Sequence, residues 1–324
     1  MPRAVVANEL GPIGNYRLQL FIPPPLGAND VRIAVKAAGV SFVDVLVAEG
    51  RYQVRPQVPF TPGSECAGIV EAVGSAVEGI DVGQKVIASG WAGMFADVVT
   101  VAAPAVWPMP KSLSFHEASV FAVSYATAWH ALIDRGWLKS GEALLVLGAG
   151  GATGYAAVQI GAYVGARVIA SASSAAKREL ALAGGAHTAI DARSGDWRNV
   201  VKSANGGSAI DVVFDPVGGD ASEMAFRTLG WNGRHLVVGF PAGIAALPNN
   251  LPLLKGASLV GVNLSLLSAT QPRWARANQA RVLALASEGR FRPVIAASYS
   301  LEHFAEAMAD AVTGERAGRI VLDI

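Results

Sequence analysis

The hydrophobic pattern of the chain changes near residue 124, and the two patterns predict two kinds of domain. Before that point, short apolar segments such as 31–40, 63–74 and 84–90 are separated by glycine- and proline-rich turns. This spacing predicts an irregular β-rich domain. After it, fully apolar segments of strand length alternate with helix-compatible segments, which predicts a doubly wound parallel sheet.

The fold class expected from these patterns is α/β. The parallel sheet is predicted from apolar segments at 143–147, 166–171, 186–190, 211–215, 234–239 and 257–262. Helices are predicted at 153–165, 177–186, 222–230, 274–289 and 301–312, and a last strand at 319–324. The predicted domain boundaries are 1–123, 124–263 and 264–324.

Length and composition narrow the class of protein. A chain of 324 residues is expected to form two domains, and 52% hydrophobic residues suit well-packed cores. A net charge of +1 without a basic block argues against nucleic acid or an anionic membrane as partner. The lack of a signal-type or membrane-spanning apolar segment, together with a single cysteine, favours a cytoplasmic protein.

A glycine-rich turn follows the strand predicted at 143–147. A strand that turns sharply into a helix can present free backbone N–H groups to a pyrophosphate, and glycine is needed where a Cβ would collide. The alternative is a tight turn without a ligand, but the strand–turn–helix context favours dinucleotide binding. The candidate residues are Gly148, Ala149, Gly150, Gly151, Ala152, Thr153 and Gly154.

The end of the second strand of this domain indicates which dinucleotide binds. NAD sites usually place an acidic residue there, but this chain has Ala172. Hydroxyl groups and cations follow instead, and these suit the 2′-phosphate of NADPH. The alternative is that Lys177 and Arg178 belong to an ordinary solvated helix start. Of these two cations, Lys177 is the better candidate ligand. The candidate ligands are Ser171, Ser173, Ser174, Lys177 and Arg178.

Several separated blocks of the chain resemble one known family. Residues 35–74, the glycine turn, VVFDPVGG (212–219) and GRIVL (318–322) are similar to the zinc-independent, zeta-crystallin-like quinone oxidoreductases of the medium-chain dehydrogenase/reductase superfamily. The resemblance implies a GroES-like catalytic domain, an inserted Rossmann domain and a C-terminal return to the first domain. It also implies a homodimer or homotetramer, joined at exposed edges of the Rossmann sheets near 257–263.

The resemblance also implies roles for individual residues. Tyr52 matches a tyrosine near the nicotinamide and could donate a proton to the acceptor, although packing of a loop is an equal alternative. Ser41, the second candidate catalytic residue, stands where many relatives have asparagine, so a hydroxyl group remains but the amide is lost. Thr127 matches a threonine near the nicotinamide ribose. Phe240 and Asn263 follow the fifth and sixth strands, where ligands of such sheets gather.

Other positions depart from the family or favour a structural role. Arg319, a candidate cofactor ligand, stands where lysine is common in the family, so the charge is kept with a different geometry. Ala192 replaces a tyrosine that many relatives have near the adenosine. Asp44 and Asp215 are expected to be structural hydrogen-bonding groups rather than bases.

The side chains expected at a superfamily zinc site are missing from this sequence. The zinc-dependent members have cysteine and histidine where this chain has Ser41 and Ser64, and hydroxyls are poor zinc ligands. Cys66 is expected to be a buried core residue. Without a metal to stabilise an alkoxide, an acceptor that spreads charge by conjugation is favoured.

The sequence therefore predicts NADPH-dependent hydride transfer to a quinone or a similar conjugated acceptor, without zinc. An NADPH-dependent enoyl or enone reductase is a neighbouring hypothesis that the sequence does not separate. A non-catalytic NADPH-binding or RNA-associated protein and a zinc alcohol dehydrogenase are the remaining alternatives.

Overall fold

The computed structural model describes all 324 residues, which form two compact units. Met1–Val123 and Arg292–Ile324 make the first unit, and Ser124–Phe291 makes the second. The return to the first unit thus begins at residue 292 rather than at the predicted 264. Residues 264–291 belong to the second unit, where Phe291 stacks on Tyr125 with ring centroids 5.6 Å apart.

Seven strands and two short helices precede the second unit, together with 3₁₀ turns at Ile13–Asn15 and Ala103–Ala105. These elements are β1 (Arg3–Val6), β2 (Arg17–Leu20), β3 (Asp30–Val40), α1 (Phe42–Ala48), β4 (Glu65–Val73), β5 (Lys85–Ser89), β6 (Val98–Ala102), β7 (Val106–Pro108) and α2 (Phe115–Ala118).

The middle of the chain alternates strands with helices. Its elements are α3 (Ala122–Trp129), continued by a π-helix (His130–Arg135), β8 (Ala143–Val146), α4 (Ala152–Val164), β9 (Arg167–Ala172), α5 (Ala175–Ala183), β10 (Thr188–Asp191), α6 (Trp197–Ala204), β11 (Ile210–Asp215), α7 (Asp220–Phe226), β12 (Leu229–Val237), α8 (Asn250–Lys255), β13 (Ser258–Gly261), α9 (Leu264–Thr270) and α10 (Pro272–Ser287). The chain ends with β14 (Ile295–Ser300), a 3₁₀ turn (Leu301–His303), α11 (Phe304–Thr313) and β15 (Arg319–Asp323).

The first unit is built on a seven-stranded, mainly antiparallel sheet. Its strands lie in the order β14-β15-β3-β4-β5-β7, and β6 also pairs with β3. Along β3 the side chains of Val31, Ile33 and Val35 are buried, as period-two alternation predicts. In register, Glu65 at the start of β4 lies between Gly39 on β3 and Ser89 on β5. The end of this sheet therefore brings together segments that are far apart in sequence.

The second unit is built on a six-stranded sheet whose neighbouring strands are all parallel. The strands lie in the order β10-β9-β8-β11-β12-β13. Counted along the chain this is the 3-2-1-4-5-6 order of the Rossmann fold, with its switch point between β8 and β11. The predicted α/β fold class is confirmed. No helix combines the length and apolar character needed to cross a membrane.

Candidate functional site

The glycine-rich turn has the geometry of a dinucleotide-binding turn. Gly148 directly follows the buried strand β8 and has a φ of 57°, a conformation that favours glycine. The amide of Gly151 donates to the carbonyl oxygen of Gly148 over 2.9 Å, which closes the turn. Any Cβ at Gly154 would clash with that same carbonyl oxygen. The turn therefore needs glycine at both ends to bring α4 against β8.

The first amides of α4 have no carbonyl partner within the helix, as a pyrophosphate cradle requires. The first amide to donate within the helix is that of Tyr155, which bonds Gly151 over 2.8 Å. The amide of Ala149 is used differently, because it donates to the carbonyl of Ser171 over 3.1 Å. The candidate pyrophosphate donors are therefore the backbone amides of Ala152, Thr153 and Gly154.

The end of β9 separates the predicted serine ligands into two groups. Ser171 is 2% exposed, and its hydroxyl accepts a hydrogen bond from Trp197 Nε1 over 3.2 Å. Ser171 thus contributes to the core of the unit, which does not suit the ligand role predicted for it. Ser173 and Ser174 lie half-buried in the turn after β9. Ser174 caps α5, where its hydroxyl accepts from the amide of Lys177 over 3.4 Å.

Lys177 and Arg178 lie in different surroundings, although they are adjacent in sequence. The stem of Lys177 crosses the glycine turn, since a Cβ at Gly150 would lie 2.6 Å from its Cβ and Cγ. Arg178 Nη1 instead lies 3.2 Å from Asp191 Oδ2 and 3.3 Å from the carbonyl oxygen of Ala172. The stem of Lys177 therefore packs against the glycine turn, and Arg178 links β9 to β10.

The other predicted cofactor residues of this unit have distinct placements. Thr127 lies half-buried on α3. Phe240 follows β12 and is 49% exposed. Asn263 caps α9, and its Oδ1 accepts from the amide of Leu266 over 2.9 Å. The side-chain oxygen of Asn263 is thus engaged in a helix cap, which competes with the ligand role predicted for it.

Asp215 holds the DPVGG turn, as expected of a structural residue. Its Oδ1 accepts from the amides of Val217 and Gly218, each over 2.9 Å. Its Oδ2 accepts from the Ser222 hydroxyl and lies 2.9 Å from His235 Nε2. Although burial alone would raise the pKa of Asp215, these hydrogen bonds lower it below its usual value.

In the first unit, Ser41 and Ser64 are joined through one carboxylate. Ser41 caps α1, and its hydroxyl donates to Asp44 Oδ2 over 2.6 Å. The Ser64 side chain also forms a hydrogen bond with Asp44, which is 3% exposed. Burial raises the pKa of Asp44, although both serines oppose the shift. Asp44 is thus a helix-cap residue that also orients two hydroxyl groups.

Glu65 is a second buried carboxyl group near Asp44, and the half-buried Arg319 lies close enough to affect both; the sequence did not indicate Glu65. Glu65 is 4% exposed, and its Oε1 accepts from the amide of Val123 over 2.8 Å. Burial raises the pKa of Glu65 to about 7, while the positive charge of Arg319 opposes the shift. Arg319, predicted as a cofactor ligand, therefore has two buried carboxyl groups of its own unit as neighbours.

The side chains at the position of a superfamily zinc site do not fit zinc. Ser41 and Ser64 are hydroxyls already bonded to Asp44. Cys66 is fully buried 3.3 Å from the Met94 sulfur, and burial raises the pKa of its thiol to about 12. Within residues 1–324 no three His, Cys, Asp or Glu side chains are grouped to hold a metal ion. Thiolate and imidazole ligands are therefore missing at this position.

Tyr52 lies beside Trp91, which was not among the predicted site residues. Its ring centroid is 5.8 Å from that of Trp91, and the two rings are inclined by 41°. Tyr52 is half-buried against the core of the first unit, whereas Trp91 is 42% exposed. Burial raises the pKa of the Tyr52 phenol, so the hydroxyl stays protonated at neutral pH. A tryptophan flanked by Gly90 and Gly93 was the available signal.

Comparisons with known proteins agree with this architecture. Residues 27–111 match the alcohol dehydrogenase GroES-like domain, and residues 152–282 match the zinc-binding dehydrogenase family. Quinone oxidoreductase-like protein 2 of Rattus norvegicus is 34% identical to this chain, covering 99% of it and 92% of the rat protein.

Solved structures of similar chains have the same fold over their whole length. Escherichia coli quinone oxidoreductase, solved as a complex with NADPH, superposes with a TM-score of 0.88 and 26% identity, covering 99% of this chain and all of that chain. The CurK enoyl reductase superposes with a TM-score of 0.90 and 26% identity, covering 99% of each chain. The similar proteins thus include both a quinone oxidoreductase and an enoyl reductase.

Proposed function

Because the chain belongs to the quinone oxidoreductase family of the medium-chain dehydrogenase/reductase superfamily, we propose that it transfers hydride from NADPH to a quinone or similar conjugated acceptor, without zinc. The observation that carries the choice of coenzyme is the position of Lys177. Its stem lies over Gly150 of the pyrophosphate turn, and the end of β9 has the apolar Ala172 in place of an acid.

The second unit supplies groups for each end of NADPH. The amides at the start of α4 bind the pyrophosphate, since they precede the first helical donor. The Lys177 ammonium and the hydroxyls of Ser173 and Ser174 bind the 2′-phosphate, because charge-assisted hydrogen bonds favour phosphate over a neutral hydroxyl. When bound, NADPH supplies the hydride. Thr127 and Phe240 are the candidates for contacts to its nicotinamide half.

The first unit supplies hydroxyl groups for the acceptor. A quinone spreads the charge gained from hydride over its conjugated system, so its reduction needs orientation and one weak proton donor rather than a Lewis acid. Tyr52 is the proposed proton donor to the acceptor oxygen, and Ser41, whose hydroxyl proton is given to Asp44, is proposed to line the acceptor site. Asp44 fixes the Ser41 hydroxyl from 2.6 Å away, and Tyr52 remains protonated because burial raises its pKa.

Reduction of an enone or enoyl double bond is the second candidate function. It uses the same hydride donor and the same weak acids, because charge again develops on a conjugated oxygen. The similarity to the CurK enoyl reductase supports it. Quinones and enones differ in the shape of the conjugated system, so a panel of acceptors separates the two functions.

A homodimer joined at the edge of the parallel sheet is part of the proposal. β13 is the outermost strand of that sheet, and its Leu259 side chain is 52% exposed. Nearby in sequence, Leu253 and Leu254 on α8 are 83% and 72% exposed. An unpaired strand edge flanked by exposed leucines favours pairing with a second copy of the chain.

Steady-state oxidation of NADPH and NADH by the purified chain tests the function. We expect turnover of p-benzoquinone or 1,4-naphthoquinone with NADPH, a higher kcat/KM for NADPH than for NADH, and full activity after dialysis against a chelator. Faster reduction of 3-penten-2-one than of both quinones would instead favour the enone reductase. The proposal would be refuted if none of the three acceptors were reduced. It would also be refuted if dialysis against the chelator removed a metal and the activity together.

A further inference from the structure

Tyr52 and Trp91 together form an exposed aromatic surface in the first unit, here called the aromatic pair. Their ring centroids are 5.8 Å apart. The Tyr52 ring packs against the core, and Trp91 leaves 42% of its surface open. Large side chains that are anchored on one side and open on the other are suited to bind a flat apolar ligand.

The loop that bears Trp91 is anchored by backbone hydrogen bonds. Residues 90–95 run along residues 61–64, and Met94 and Phe95 behind Trp91 are fully buried. The amides of Gly90, Gly93, Met94 and Phe95 donate to the carbonyls of Ser64, Thr61, Gly63 and Pro62 over 2.9, 2.8, 3.3 and 2.9 Å. The backbone that carries the indole is therefore largely fixed before a ligand arrives, which lowers the entropic cost of binding.

The aromatic pair also adjoins the hydroxyl groups proposed to contact the acceptor. Gly90, the residue before Trp91, is bonded to the backbone of Ser64, whose side chain is bonded to Asp44. Asp44 in turn accepts from Ser41. Flat aromatic surface and hydrogen-bond donors thus occur at one end of the same sheet, and a quinone combines a flat ring with carbonyl oxygens.

We propose that Trp91, together with Tyr52, stacks on the ring of the acceptor and makes the chain selective for flat aromatic quinones over alkyl enones. The inference rests on the proposed function and deepens it by naming the acceptor class. The indole ring is rich in π-electrons and a quinone ring is poor in them, so offset stacking adds to the burial of apolar surface. An alkyl enone offers a much smaller π-system to the indole.

Tryptophan fluorescence gives a test that does not depend on turnover. The chain has seven tryptophans, and a quinone stacked on one of them quenches its emission. We would titrate 1,4-naphthoquinone into the full chain and into Trp91→Leu, Trp91→Phe and Trp137→Phe. Because the two Trp91 variants lack the stacked reporter, the affinity of all four proteins would also be measured by equilibrium dialysis of the quinone. Trp137 is the matched control because it is 69% exposed and belongs to the second unit.

We expect saturable quenching in the unaltered chain and in Trp137→Phe, and a tenfold weaker naphthoquinone affinity in Trp91→Leu. Tenfold corresponds to about 1.4 kcal/mol. Trp91→Phe should retain most of the affinity, because it keeps a ring. Equal affinity in Trp91→Leu, or no saturable binding in the unaltered chain, would overturn the inference.

Kinetics with NADPH separates this inference from the proposed function. Trp91→Leu should lower kcat/KM for 1,4-naphthoquinone about tenfold through KM, while kcat/KM for 3-penten-2-one changes less than twofold. A matching loss for both acceptors would contradict selective stacking. If no acceptor is reduced by the unaltered chain, the proposed function fails, and the fluorescence titration still decides whether Trp91 binds quinones.

Discussion

The proposed preference for NADPH rests mainly on the charge of Lys177, which can be removed without disturbing the turn beneath its stem. In Lys177→Met the unbranched apolar stem remains, so the contact with Gly150 is kept while the ammonium is lost. Only the coenzyme that carries a 2′-phosphate should sense this change. Binding of NADPH should therefore weaken, and binding of NADH should stay the same.

The magnitude follows from the exposure of Lys177, which is half-buried rather than enclosed. Two unit charges 4 Å apart attract by about 1 kcal/mol in water, and the 2′-phosphate carries between one and two charges. A loss of about 1 to 2 kcal/mol is expected, which weakens NADPH binding about five- to thirtyfold. A fully buried pair would lose more, so a much larger effect would indicate a more enclosed site.

Calorimetric titration of NADPH and NADH into each variant measures this preference. Lys202→Met is the matched control, because it removes the same charge from the exposed surface of α6. Arg178→Met tests the neighbouring cation, which is bonded to Asp191 and should matter less. An equal change for both coenzymes in Lys177→Met, or tighter binding of NADH by the unaltered chain, would refute the reasoning.

Three further outcomes can be checked. Gly154→Ala should weaken NADPH binding at least about tenfold in calorimetry, because the added Cβ would clash with the Gly148 carbonyl oxygen. The control Gly195→Ala should not, because its added Cβ has no atom within 4 Å. Burial raises the pKa of Glu65 from 4.5 to about 7, so the folded chain keeps a proton that the unfolded chain releases, and stability declines as pH rises through this window. In urea unfolding, Glu65→Gln should gain up to about 3 kcal/mol over the unaltered chain between pH 5 and pH 8; parallel pH profiles would contradict this. Leu259→Lys on the edge strand should sediment as a monomer where the unaltered chain sediments as a dimer.

The second unit was the more predictable part of the fold, because its signals are local. Strand β8 was predicted at 143–147 and forms at Ala143–Val146, since four consecutive buried residues fit only a central strand. The amphipathic helix α6 was not predicted, although Trp197 and Val201 on it are buried. The four-residue spacing between Trp197 and Val201 was the available signal.

The site in the first unit was less predictable, because its contacts join distant segments. Glu65 follows Ser64, yet nothing local indicates that Arg319 lies near its carboxyl group. The pairing of Tyr52 with Trp91 likewise depends on how two loops pack at the end of the sheet. Ser171 was predicted as a ligand from its place after β9, yet its hydroxyl is bonded to Trp197, a contact that sequence spacing could not reveal.

The burial of Cys66 has a consequence for the proposed reduction of quinones or enones, which are electrophiles. Quinones and enones alkylate thiolates, and because burial raises the pKa of Cys66 to about 12, its thiol stays protonated at neutral pH. Cys66 is also the single cysteine of the chain, and none of its surface reaches solvent. The folded chain therefore offers no accessible sulfhydryl to such compounds, so it can work in their presence without becoming covalently modified at cysteine.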